Sequence, residues 1–226
     1  SEALEAAAAA LAAQPGFDAA ARAFCDGMIA FYAGRWVLNT ALGYALGFAI
    51  GALVIHLDRT WVGGATTARL TRICQAGGLA GPRAVRGGVG IFRAAGLIEA
   101  RRDPDDKRAW RLVPTAALLE LMRENLAMRL EAQAPLTPFP EPGAAWARRP
   151  GVLEAFLRGN VEAFAGTGFR LDADMPEVRA FMDPQCGYLV LLALVQASLG
   201  GKAWTLSAMA TRFDVSRAHI RKLLAR

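Results

Sequence analysis

Apolar positions recur at helical spacing along most of this chain, and strand-like stretches occur only near its middle. The opening SEALEAAAAALAAQPG reads as an Ala-rich helix that stops at Pro15-Gly16. From Trp36 to Leu57 the run WVLNTALGYALGFAIGALVIHL is almost uncharged. Asn39 and Thr40 interrupt it early and start a helix at about Ala41, which Gly63-Gly64 end. Thr66 or Thr67 then caps a short helix through Cys74, with Leu70 and Ile73 inward. QAGGLAGP is a glycine-rich turn, and Pro82 suits the first turn of the next helix. On that helix Val85, Val89 and Phe92 form one apolar face, while Arg83, Arg86, Gly87 and Gly90 share another. Gly96 stops it, and residues 97 to 101 and 108 to 113 read as two strands around RDPDDK. An amphipathic helix from Thr115 to about Glu131 follows, with Leu118, Leu119, Met122 and Leu126 inward. APLTPFPEPG is a stiff, extended linker. Beyond it a helix from about Val152 to Ala165 precedes a loop-rich insertion over residues 166 to 186, with a short helix near Glu177 to Met182.

The pattern occurs twice. QPGFDAAARAFCDGMIAFYAG from Gln14 resembles RPGVLEAFLRGNVEAFAGTG from Arg149, and VGGATTARLTRI from Val62 resembles LGGKAWTLSAMATRF from Leu199. In the second copy GYLVLLALVQASLGG is the apolar helix, followed by TLSAMATRFDVSRAHIRKLLAR. Thr205 caps a helix presenting Leu206, Met209 and Ala210. Phe213-Asp214-Val215 is a turn, and Ser216 caps a helix whose core face is Ile220, Leu223 and Leu224. This is the most specific helix-turn-helix signal in the chain. The copy stops at Arg226, a point matching Ile91, so no second hairpin falls within it. The expected organisation is a first unit over 14–134, a Pro-rich linker over 135–148 with its boundary near Pro138, and a second unit over 149–226.

The repeat changes how the uncharged run is read. Gly43, Gly47 and Gly51 form a ladder that suits close helix packing in lipid, and the run is long enough to span a bilayer. Its second copy is too short to cross and leads into a helix-turn-helix. The expectation is therefore a buried helix and no membrane partner. No basic leader precedes the first helix, and cytoplasmic localisation is expected. The three cysteines are dispersed with no C-x-x-C, which reads as reduced, buried thiols; a redox sensor is the sharper alternative.

With 226 residues, 54% of them apolar, the chain can bury a substantial core; its formal charge is +6, which suits a polyanionic partner. The charge is densest in RRDPDDKRAWRLVPT, residues 101 to 115. Helix, short helix, turn, helix, hairpin is the order of a winged helix-turn-helix. The fold expected is mainly α with a small β-hairpin wing, as tandem winged helix-turn-helix domains. Such a helix buries one side and offers the other to the major groove of double-stranded DNA, where arginine bonds guanine bidentately or neutralises phosphate. The candidate DNA contacts are Arg83, Arg86 and Arg93 on the first such helix and Lys107 and Arg108 at the hairpin tip. Ser216, Arg217, His219, Arg221 and Lys222 are the candidates on the second. Asp106 braces the tip by pairing with Arg108.

The stretch AAGLIEARRDPDDKRAWRLVPT resembles the wing of the MarR family of winged-helix transcription regulators, over about residues 60 to 130. The resemblance implies that Asp106 and Arg108 occupy the family's D-x-R positions, that Arg108 reaches the minor groove, and that Arg83 and Arg86 lie on the major-groove helix. Pro114 departs from the pattern, as do Gly87, Gly88 and Gly90, each costing up to ~1 kcal/mol in a helix relative to alanine. The resemblance also allows a small aromatic effector, with Trp36, Tyr44, Phe48 and Trp61 as candidate pocket residues; core packing is the plainer role for all four.

No Walker loop, dinucleotide fingerprint, zincin or nucleophile-elbow motif occurs, and the two histidines stand apart from cysteines and paired carboxylates. No enzyme, cofactor or metal is expected. The reading is a transcription regulator whose two units act as a pseudo-twofold covalent dimer, with a homodimer as the other arrangement. The alternatives are a winged-helix protein-interaction scaffold without DNA binding and a membrane-anchored regulator.

Overall fold

The computed structural model describes residues 2–35, 45–103, 109–137, 139, 141–167, 175–182, 186–201 and 203–225. The chain is mainly helical with one small antiparallel hairpin. Its elements are α1 (Glu2–Ala12), α2 (Phe17–Tyr32), α3 (Ala45–Thr60), α4 (Thr67–Ala76), α5 (Pro82–Ala94), β1 (Ile98–Arg102), β2 (Trp110–Pro114), α6 (Ala116–Gln133), α7 (Gly143–Arg148), α8 (Val152–Thr167), α9 (Pro176–Met182), α10 (Gly187–Ser198), α11 (Leu206–Phe213) and α12 (Arg217–Leu224). Among the described residues no helix is long and apolar enough to cross a membrane. Asn39, Thr40 and Gly43, on which the expected start and glycine ladder of α3 rest, lie outside the described residues, as does Pro138 at the expected boundary.

Two compact units form, and they interleave along the chain. A hairpin unit comprises Val37–Arg123 and Arg149–Arg170; a terminal unit comprises Ser1–Trp36, Glu124–Arg148 and Leu171–Arg226. Sequence order would have kept α2 with α3 and α8 with α10. Instead α8 packs on α3 in the hairpin unit, and α2 packs on α10 in the terminal unit.

In the hairpin unit, α3 supplies the core through Ile50, Leu53, Val54 and Ile55, all essentially inaccessible to water. Leu153 and Leu157 of α8 are equally buried, and Arg59 reaches Glu154 at 3.7 Å. Gly63 and Gly64 adopt positive φ after α3, a backbone turn that glycine makes without Cβ strain. The chain then adds a bridge to the hairpin that the sequence reading lacked: Leu112 N donates to Ala65 O at 2.8 Å.

In the terminal unit α2 buries Cys25, Met28, Ile29 and Tyr32, and α10 buries Leu189, Val190, Leu192 and Ala193. The last part of the expected linker is helical, and Gly143 of α7 lies so close to Ala127 O of α6 that a Cβ there would stand 2.7 Å away. The two Pro-Gly turns that open the repeat match. Gly16 and Gly151 both have left-handed backbones, and their carbonyls accept from Ala20 N and Ala155 N at 2.9 Å.

Candidate nucleic-acid interface

The first helix pair is built as its caps and apolar spacing predict. Thr66 accepts from Arg69 N at 3.2 Å and opens α4. Leu70 and Cys74 are buried and Ile73 half-buried. The turn through Gly78, at φ +63°, leads to Gly81 as the cap of α5 with Pro82 at its start. Val85 and Phe92 are fully buried and Val89 nearly so. Arg83, Arg86, Gly87, Gly90 and Arg93 are exposed. Their guanidinium groups have no carboxylate partner within ion-pair distance among the described residues, whereas Arg35, Arg59, Arg101 and Arg111 elsewhere are each paired.

The three glycines of α5 differ. A Cβ at Gly87 or Gly90 would meet nothing within 4 Å; at Gly88 it would stand 2.5 Å from Ile50 Cδ1. Packing therefore explains Gly88 alone. Gly87 and Gly90 leave the outward face of α5 without side-chain bulk between its arginines.

An open cleft of about 750 Å³ runs between α4 and α5, lined by Thr67, Thr71, Arg72, Gln75 and Arg86 among others. Arg72 and Gln75 were not among the sequence candidates. Thr67, Thr71 and Gln75 repeat every four residues on the side of α4 away from Leu70, the polar face an amphipathic reading would have marked. What sequence spacing hides is that the turn brings Arg72 and Arg86 to one cleft.

At the hairpin, β1 pairs β2 with Arg101 opposite Arg111 and Arg102 opposite Trp110. Facing like charges would repel, and each arginine takes its own carboxylate: Arg101 Nη2 to Glu99 at 2.8 Å, and Arg111 Nε to buried Asp103 at 2.5 Å. Arg102 lies over the half-exposed Trp110 ring at 4.3 Å. Thr115 Oγ1 ties the hairpin back to the end of α5, donating to Gly96 O and Leu97 O at 2.8 and 2.9 Å. The bracing seen is thus Asp103 with Arg111 at the neck. Asp106, Lys107 and Arg108, the expected tip residues, lie outside the described residues.

The second pair repeats this logic. Thr205 accepts from Ala208 N and Ser216 from His219 N, each at 3.1 Å. Asp214, in the left-handed conformation, makes the turn, and Val215 N donates to Ala210 O at 3.0 Å. Phe213 and Ile220 are fully buried and Leu223 nearly so. Leu224, expected on the core face, is exposed; it lies on the opposite side of Ile220 from Leu223. Ser216, Arg217, Arg221 and Lys222 are exposed and His219 is half-buried. Arg217, Arg221 and Lys222 have no carboxylate partner among the described residues.

Of the candidate effector residues, Trp36 and Tyr44 lie outside the described residues. Phe48 is half-buried on α3. Trp61 is 57% exposed with the Arg69 guanidinium 5.1 Å above its ring, so it is not a core residue. The three thiols are free and buried, and burial pushes Cys74 and Cys186 up to about 11. A redox sensor needs an exposed thiol with a lowered pKa, which none of these is. No family model, curated protein or solved structure matches the chain.

Proposed function

We propose that this protein is a double-stranded DNA-binding transcription regulator, cytoplasmic, built of two tandem helix-turn-helix units of which the first carries a MarR-like wing. The observation that carries the reading occurs twice. A helix seated on a buried apolar stripe (Val85, Val89 and Phe92 in α5; Ile220 and Leu223 in α12) turns exposed, carboxylate-free arginines outward. Unpaired guanidinium groups on a convex helix are what phosphate and guanine edges select. Trp110 and Arg102 on the hairpin extend the cationic face of the first unit. The two units supply the two half-sites that dimers of such domains read about one helical turn, ~34 Å, apart. The full-length chain then binds one quasi-palindromic site as a monomer.

The test is selection of bound duplexes from a random DNA pool by the full-length chain, followed by anisotropy titration across salt. The expected result is an enriched site whose affinity falls steeply with salt. Joint replacement of Arg83, Arg86, Arg217 and Arg221 by alanine should abolish that enrichment. Retention of DNA by this quadruple variant, or no enriched sequence with the parent, would transfer the helices to a protein-interaction scaffold.

A further inference from the structure

The leading helices of the two repeats pack crosswise. We infer that this is a reciprocal exchange, in which α2 of the first repeat supports the α11–α12 pair and α8 of the second supports the α4–α5 pair, and that Asp26 is the positioning residue through which α2 holds the second pair. The inference does not depend on DNA binding.

Three observations carry it. First, α2 and α8 are equivalent segments. Each follows a Pro-Gly turn with a left-handed glycine, and the two glycines, Gly16 and Gly151, stand 151 − 16 = 135 residues apart. Second, each packs on the apolar helix of the other repeat, α2 on α10 and α8 on α3. Third, the polar ties at these contacts exist only in the crossed arrangement. Arg22 Nη1 donates to Leu199 O at 3.2 Å, at the end of α10. Gln196 Nε2 donates to Asp26 Oδ1, and Gln196 Oε1 accepts from Trp204 Nε1 at 2.6 Å. Trp204 stacks on Phe213 at 5.7 Å, directly before the turn into α12. On the other side Arg59 of α3 meets Glu154 of α8.

At the repeat offset of 135, Asp26 corresponds to Val161, Arg22 to Leu157 and Ala19 to Glu154. Uncrossed, α8 on α10 would set valine against the Gln196 amide and leucine against the Leu199 carbonyl, and α2 on α3 would set alanine against Arg59. Gln196 is buried, so losing its acceptor is the costly error. The polar positions thus reject the uncrossed pairing that the apolar stripes alone would accept.

The functional consequence is crosswise dependence: each exposed arginine face rests on a helix encoded in the other half of the chain. Hydrogen exchange on full-length protein tests it. Asp26→Ala should speed exchange of amides in residues 206–224 at least about tenfold and leave residues 67–94 unchanged. Asp26→Asn, which keeps an acceptor oxygen for Gln196, should restore the parent rate. Leu157→Ala in α8 should do the reverse, loosening 67–94 and sparing 206–224. Loosening of 67–94 by the Asp26 variant, of 206–224 by the Leu157 variant, or equal behaviour of Asp26→Asn and Asp26→Ala would overturn the inference. A second readout uses a specific protease site inserted within residues 137–142 of the full chain. After cleavage the two pieces should co-elute in native gel filtration, and their separation without denaturant would equally overturn it.

Discussion

The three glycines of α5 give opposite signs to one chemical change, adding a methyl group. Gly87 and Gly90 lie in the exposed interior of a helix with open space where a Cβ would go. Alanine there removes the backbone-entropy cost of glycine, about 0.5–1 kcal/mol at each site. The double variant should therefore be about 1–2 kcal/mol more stable. At roughly 2–4 °C per kcal/mol for chains of this size, the transition melting the hairpin unit should rise by about 2–8 °C. Gly88→Ala gains the same propensity term but places its methyl 2.5 Å from Ile50 Cδ1. Ile50 is fully buried and has no free volume to retreat into. Overpacking of this kind costs about 1–3 kcal/mol, so the net effect is zero to about 2 kcal/mol destabilising. Calorimetry of the three single variants reads the signs directly. The second half of the prediction concerns function. If Gly87 and Gly90 are there to let a DNA backbone approach α5, the stabilised double variant binds its selected duplex at least about tenfold more weakly in anisotropy titration. A lower melting temperature for Gly87→Ala or Gly90→Ala would refute the packing argument. Higher stability with unchanged affinity would refute the close-approach argument and leave only the packing one.

Alanine at each phosphate-contacting arginine should lower the slope of log affinity against log salt by about one, and Arg72→Ala, in the cleft beside Arg86, should do so without changing the preferred sequence. Asp103→Ala strands Arg111 opposite Arg101; urea melts should show a loss somewhat under the ~3–5 kcal/mol of a fully buried pair. Ser216→Ala removes the acceptor for His219 N and should cost about 1 kcal/mol, visible as fraying of α12 by hydrogen exchange. Cys74 and Cys186 should resist an aromatic disulfide reagent at pH 8 until the chain is unfolded. Their folded pKa values, near 11, exceed the ordinary 9.0 because the neutral thiol suits a buried site. The stability they lend is complete below pH 9 and is lost as pH rises through 11, which alkaline denaturation followed by circular dichroism would register.

What could be read from sequence was local. Thr66, Thr205 and Ser216 each accept from the amide three residues on, as a capping residue before an apolar run should. Val85, Val89 and Phe92 fill one face because spacing of four and three residues leaves no other arrangement on a helix. The hairpin was legible as two strands around a charged tip, but its register was not. The pairing of Asp103 with Arg111, rather than the expected Asp106 with Arg108, depends on which residues face each other. A slip of one position would have reversed every side chain. Trp61 misled because aromaticity predicts burial, whereas a cation over the ring stabilises an exposed indole too.

The exchanged helices were illegible for a different reason. A repeat makes two copies of the same amphipathic surface, so α2 fits α3 by pattern as well as it fits α10. Hydrophobic burial is roughly proportional to area and blind to identity, so it cannot choose between the pairings. The choice falls to the few polar groups at the rims, where an unmet buried donor or acceptor costs about 1–3 kcal/mol. Asp26, Gln196, Arg22 and Glu154 are unremarkable as single letters, and three of them replace residues that are apolar at the matching position of the other copy. That mismatch between otherwise similar segments is the signal the sequence does hold. In a duplicated chain, the positions where the copies disagree in polarity on a packing face are the ones that decide which copy supports which.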